Sequence, residues 1–179
     1  MLLQILAHTP RWVFVLFFVL VWYGAKQMFA NTVSLFRVTL MPVAMTGLSV
    51  YGVLSAFGNS TYSPYALLGW ATGAAALAFF VLQRPLPATT RYDAAARRFH
   101  QAGSGVPLAL MMGIFFTKYV VGVMLVMQPA LAHQAGFALG IATLYGAFSG
   151  TFAARALRLW KRALSDDRAR QELPLARLG

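Results

Sequence analysis

The sequence predicts an all-α integral membrane protein, a bundle of five transmembrane helices with the N-terminus outside and the C-terminus in the cytoplasm. Three observations carry that expectation. Of 179 residues 59% are apolar and 11% charged, whereas a soluble domain carries roughly a quarter of its residues as charges. Five apolar runs, residues 12–30, 38–57, 65–82, 106–127 and 135–153, approach the roughly 20 residues a helix needs to cross a hydrocarbon core. The basic residues collect on alternate connections between those runs.

Thr9 followed by Pro10 reads as an N-cap with proline at the first helical position, opening the first run. Lys26, near the end of that run, can carry its ammonium to the headgroups on its long stem. A cleaved signal peptide is the alternative; Lys26 and the lack of a small-x-small cleavage site favour a retained helix. Pro107 opens the fourth run as Pro10 opens the first. The runs are continuously apolar rather than alternating, which selects helices over a closed barrel as the way to satisfy every backbone group in lipid.

Net charge is +11. Lys26 and Arg37 flank the first connection, Arg84, Arg91, Arg97 and Arg98 lie in the third, and seven more basic residues lie beyond the fifth run. Thus 13 of the 15 fall on one side, leaving Arg11 and Lys118, and the positive-inside rule makes that side cytoplasmic. Apolar residues interleave with the basic ones, and acids follow at Asp166, Asp167 and Glu172, so the expected partner is a bilayer with anionic lipids and no nucleic acid.

Residues 1–160 form one transmembrane domain and residues 161–179 a basic tail. In the third connection, Thr90 and Asp93 have the spacing of a capping-box variant, and Tyr92, Ala96 and Phe99 share one face if the segment is helical. That face would lie in the bilayer surface while Arg91, Arg97 and Arg98 reach headgroups. A solvated loop is the plainer alternative. The tail continues the last helix, with Arg155, Arg158 and Arg162 on one side and Leu157, Trp160 and Leu164 largely on another, and it loses order towards Leu173 and Pro174. Small residues, Gly69 and Gly73 on the third span and Gly136, Gly140, Thr143, Ala147, Gly150 and Ala154 on the fifth, permit close helix contact. They serve packing within the bundle or, alternatively, a homo-oligomer or a membrane-protein partner.

Lys118 is the most informative single residue. It lies about 18 Å from Val106 and about 15 Å from Gln128 by helical rise, near the bilayer midplane, where a charge costs a few kcal/mol. It should therefore face the bundle, be partnered or be uncharged. No Asp or Glu lies in any of the runs, so its partners are neutral: Ser49, Tyr51, Thr143, Tyr145, Ser149, carbonyls freed by Pro42, or the anionic group of a lipid or substrate. Lys118, Tyr119, Ser49 and Tyr145 form the candidate ligand site, and Arg97, Arg98, Arg155, Arg158 and Arg162 the candidate headgroup site. The missing intramembrane carboxylates also disfavour proton-coupled cation transport.

No cofactor and no catalytic group is expected. The chain has no cysteine, which removes disulfides, thiolate metal sites and thiol nucleophiles. His8 and His133 share the outer interface and could ligate haem or a metal, but two isolated histidines lack spacing support, and His100 lies on the other side. Met111, Met112, Met124 and Met127 read as packing residues rather than copper ligands. Gly103-Ser104-Gly105 is a break before the fourth span, not a nucleophile elbow.

Several segments carry a resemblance: Gln4 to Pro10, Arg37 through Pro42 to the run Ser49-Val50-Tyr51-Gly52, Gly103-Ser104 before Pro107-Leu108-Ala109-Leu110, Lys118-Tyr119, Gln128-Pro129-Ala130, and Tyr145-Gly146 with Ser149-Gly150. Together these resemble a family of small, uncharacterised bacterial inner-membrane proteins, over roughly residues 1–160. Ala102 departs from that pattern, in which a proline precedes the Gly-Ser. The resemblance implies a fold and a membrane and nothing catalytic. The leading expectation is an accessory or structural protein, or one that binds anionic lipid; the rivals are a small permease for an anionic or amphipathic solute using Lys118, and a membrane redox subunit using the two histidines.

Overall fold

The computed structural model describes residues 9–86, 90–93, 96, 98–101 and 103–175. Helix α1 (Arg11–Lys26) leads through strand β1 (Asn31–Ser34) into α2 (Leu35–Phe57), and α3 (Ser63–Gln83) follows. Strands β2 (Arg91–Asp93) and β3 (Arg98–Gln101) precede α4 (Val106–Met127), a 3-10 turn at Pro129–His133, and α5 (Ala135–Leu175). Helices α2, α3, α4 and α5 are long and apolar enough to cross a membrane. Helix α1 has 16 residues and is about 24 Å long, shorter than the expected 12–30, because the chain turns after Lys26 to enter β1. Pro10, rather than Thr9, is its N-cap, and the Thr9 hydroxyl lies 2.7 Å from the Tyr119 hydroxyl.

The bundle is inside out by the standards of a soluble protein. Ala66, Ala138, Ala142 and Ala154 are fully buried, while Trp12, Phe18, Trp22, Val43, Phe79, Phe80 and Val126 point outward. Small residues inside let backbones approach, and van der Waals contact then holds helices that oil does not drive together. The tightest pair is α3 with α5, which run in the same direction. Gly69 and Gly73 meet Leu139 and Thr143, and reciprocally a side chain at Gly146 would strike the Trp70 carbonyl and one at Gly150 the Ala74 carbonyl. The small-residue stripe thus serves packing within the chain at Gly150, and Gly146 belongs with it. Gly136 and Gly140 meet nothing within 4 Å.

Helix α2 packs on α5, and α4 on α1, whereas α4 scarcely touches α5. The five helices therefore divide into a closely packed trio, α2, α3 and α5, and a more loosely seated pair, α1 and α4. In that pair Gly24 admits Leu108, and Phe17 lies 5.4 Å from Phe115 between ring centroids.

The third connection departs from the expected surface helix. Its strands β2 and β3 join β1 of the first connection in a three-stranded antiparallel sheet in the order β1-β3-β2. Tyr92 and Phe99, expected on one helical face, are directly paired across β2 and β3 with rings 4.8 Å apart. Asp93 does cap, accepting from the Ala96 amide at 3.2 Å, but it caps a turn between strands. The local pattern fits both periods; the decisive hydrogen bonds go to β1, more than 60 residues away, which a local reading cannot see. Phe99, fully buried with Val38 and Ala163, fixes this sheet against the far half of α5. That half continues as helix to Leu175.

Gly150→Leu should lower the melting temperature of the detergent-solubilised protein by an amount equivalent to about 2 kcal/mol or more, because the new side chain meets backbone rather than a movable group. Gly140→Leu should leave the melting temperature nearly unchanged. Phe99→Ala should cost about 3 kcal/mol and raise hydrogen exchange in the sheet before it does so in α3.

Candidate functional site

Three helices bring polar groups to one level. Ser49 lies eight residues from the end of α2, Lys118 nine from the end of α4 and Tyr145 ten from the start of α5, which places them about 12, 14 and 15 Å from the same end of the bundle. There the Lys118 ammonium donates to the Leu48 carbonyl at 3.4 Å and lies 5.1 Å from the centre of the Tyr145 ring. The first is a long, weak hydrogen bond; the second is a cation–π contact that grows in value when water is absent. Gly52 completes the seat, since a Cβ there would stand 2.5 Å from the Lys118 Nζ.

Beside the ammonium runs a saturated polar network. The Trp70 indole donates to the Ser49 hydroxyl at 3.0 Å, and Ser49 and Ser149 each donate to the Tyr145 carbonyl at 3.1 Å. Both serines are buried, so this network locks α2 and α3 onto α5 and satisfies groups that would otherwise be costly. Ser49 and Tyr145 thus do border Lys118, but Tyr145 offers its ring face. Tyr119 points across to Thr9. Tyr51 is exposed and is no partner, and the carbonyl used is that of Leu48 rather than one freed by Pro42.

Between the α1/α4 pair and helices α2 and α5 lies a cleft of about 960 Å³. Trp12, Leu16, Met45, Ile114, Phe115 and Phe152 are among its apolar lining, and Lys118 is the one charged residue among the described residues that line it. Sequence reasoning found the lysine but neither the cleft nor the seat. Gly52 was visible only as part of a Tyr-Gly pair, and the Leu48 carbonyl gives no signal in a sequence.

Of the candidate headgroup residues, Arg155, Arg158 and Arg162 lie along α5 and Arg98 on β3. Arg97 lies outside the described residues. Arg98 stands on β3 opposite Asp93. Arg158 donates to the Arg84 carbonyl at 2.8 Å and the Pro85 carbonyl at 3.3 Å, tying the end of α3 to α5. Arg162 pairs with Asp166 at 3.0 Å along the same helix. Arg155 is partly buried. Of the histidine pair, His133 is exposed on the 3-10 turn and His8 lies outside the described residues, as does Ala102.

Residues 1–172 match the model of a family of unknown function, DUF6622, and the chain belongs to that family. No curated protein and no solved structure matches it.

Gly52→Val should destabilise the protein by about 1–3 kcal/mol through overpacking against the ammonium, and Lys118→Ala in the same chain should relieve much of that loss. Gly47, with nothing within 4 Å, supplies the control, and the non-additivity in thermal melts measures the contact.

Proposed function

We propose that this DUF6622 protein is a multi-pass bacterial inner-membrane protein that holds an anionic amphiphile between its helices, with Lys118 as the charge-selecting group. The observation that carries the reading is a single ammonium in an otherwise uncharged cleft of about 960 Å³, a volume in the upper part of the roughly 300–1,000 Å³ range of small-molecule pockets. A lysine needed only for packing would be fully enclosed by acceptors. Here the ammonium holds one long hydrogen bond and a ring face, and it borders a cleft large enough for a ligand.

The bilayer reading is supported by the outward-facing apolar side chains on every helix, far more contiguous apolar surface than a soluble monomer exposes. Helix α1, about 24 Å long, crosses a core of about 30 Å with local thinning or with Arg11 and Lys26 reaching to the headgroups. The sheet, the Arg84 loop and the basic half of α5 share one end of the bundle, so the positive-inside rule puts that end in the cytoplasm and the N-terminus outside. The role is binding, not covalent chemistry. A packing role in a larger membrane assembly is the second reading, favoured by the open surface at Gly136 and Gly140.

Lipid-resolved mass spectrometry of the purified protein should find an anionic amphiphile retained by the wild type and lost at least tenfold in Lys118→Met of equal thermal stability. Equal retention by both would leave only the packing role. A reporter active solely in the cytoplasm and fused after residue 179 should be active; a stably inserted but silent fusion would reverse the threading.

A further inference from the structure

Resting on the cleft reading, we infer that the ligand is a single-chain lipophilic carboxylate rather than a phosphate monoester. The geometry around Lys118 carries this. An ammonium has three donors; one goes to the Leu48 carbonyl, another faces the Tyr145 ring, and Gly52 stands so close to the Nζ that a methyl group would not fit between them. At most one donor is left for a ligand, and Lys118 lines the cleft in which a small acceptor group has room.

A carboxylate brings one negative charge, which the single charge of the ammonium balances, and can take the remaining donor through one oxygen. A phosphate monoester carries close to two charges, and the described residues at this depth include no arginine fork and no helix N-terminus to meet the second. The hydroxyls nearby carry no positive charge to make up the shortfall, and Ser49 and Ser149 already spend their protons on the Tyr145 carbonyl. An uncompensated second charge in a low-dielectric site is costly, which disfavours a phosphate monoester.

The shape of the cleft agrees. Its α4 wall runs from Met111 to Met127, about 24 Å by helical rise, with Lys118 between the ends. From Lys118 the wall extends about 11 Å to Met111 and about 14 Å to Met127, and apart from Tyr119 it and the facing α1 residues are apolar, so the first part of a hydrocarbon chain with its head at the lysine can lie along either arm.

The test uses the full chain in lipid nanodiscs and four probes: palmitate, hexadecanol, hexadecyl phosphate and phosphatidylglycerol, with retention read by native mass spectrometry. The wild type should retain palmitate at least tenfold better than hexadecanol or hexadecyl phosphate. Lys118→Met should erase the preference over hexadecanol, and Lys118→Arg, which introduces a fork, should move preference towards hexadecyl phosphate. Gly122 lines the cleft with open space around it, so Gly122→Phe should fill the cleft without a backbone clash and abolish palmitate retention while Lys118 stays in place. Retention of hexadecyl phosphate or phosphatidylglycerol above palmitate, in a Lys118-dependent way, overturns the carboxylate assignment and leaves the cleft reading standing. Retention of none of the four above the Lys118→Met level overturns both.

Discussion

An ammonium held midway along an apolar helix is the constraint around which this protein is arranged. In the bilayer we propose, the charge cannot be left to water, and no carboxylate lies within the apolar runs to meet it. The chain answers with neutral groups from two neighbouring helices: the Leu48 carbonyl, the Tyr145 ring and the missing side chain at Gly52. Each is individually weak. Together they orient the ammonium without neutralising it, and a partly satisfied cation beside a cleft is a natural seat for an anion.

The cleft itself follows from unequal packing. Close glycine contacts between α3 and α5, and the serine-tryptophan network joining α2 to them, fix a trio that has little freedom to adjust. Helices α1 and α4 carry bulkier residues at their mutual contact and rest on the trio through few points, Lys118 among them. Large side chains that cannot interdigitate leave space. At the other end, the small sheet and the extended α5 tie the two halves of the chain together through Phe99 and Arg158, so the loosely seated pair is anchored at one end of the bundle.

Much of this was legible in the residues alone. Apolar runs gave α2, α3, α4 and the first half of α5 nearly to the residue, because continuous hydrophobicity of that length has few other uses. Lys118 stood out for the same reason: a charge in such a run is expensive. What escaped notice depended on pairing between distant segments. The strands at Asn31–Ser34, Arg91–Asp93 and Arg98–Gln101 are too short to declare a period, and Tyr92 and Phe99 satisfy a helical spacing by coincidence. The arginines cluster in sequence, but the bonds that Arg158 makes to the Arg84 carbonyl and Arg162 to Asp166 depend on the folded geometry. Gly140 and Gly150 look equivalent in a stripe; only the position of α3 tells them apart.

The central claim is that the space beside Lys118 is occupied when the protein sits in its native membrane. A cryo-electron microscopy map of the protein extracted with that membrane's lipids tests it most directly. The account predicts elongated non-protein density along α4, its head within hydrogen-bond distance of the Lys118 Nζ. A map in which α1 and α4 close onto α2 and α5, with the ammonium enclosed by protein groups and no density beside it, would contradict the account.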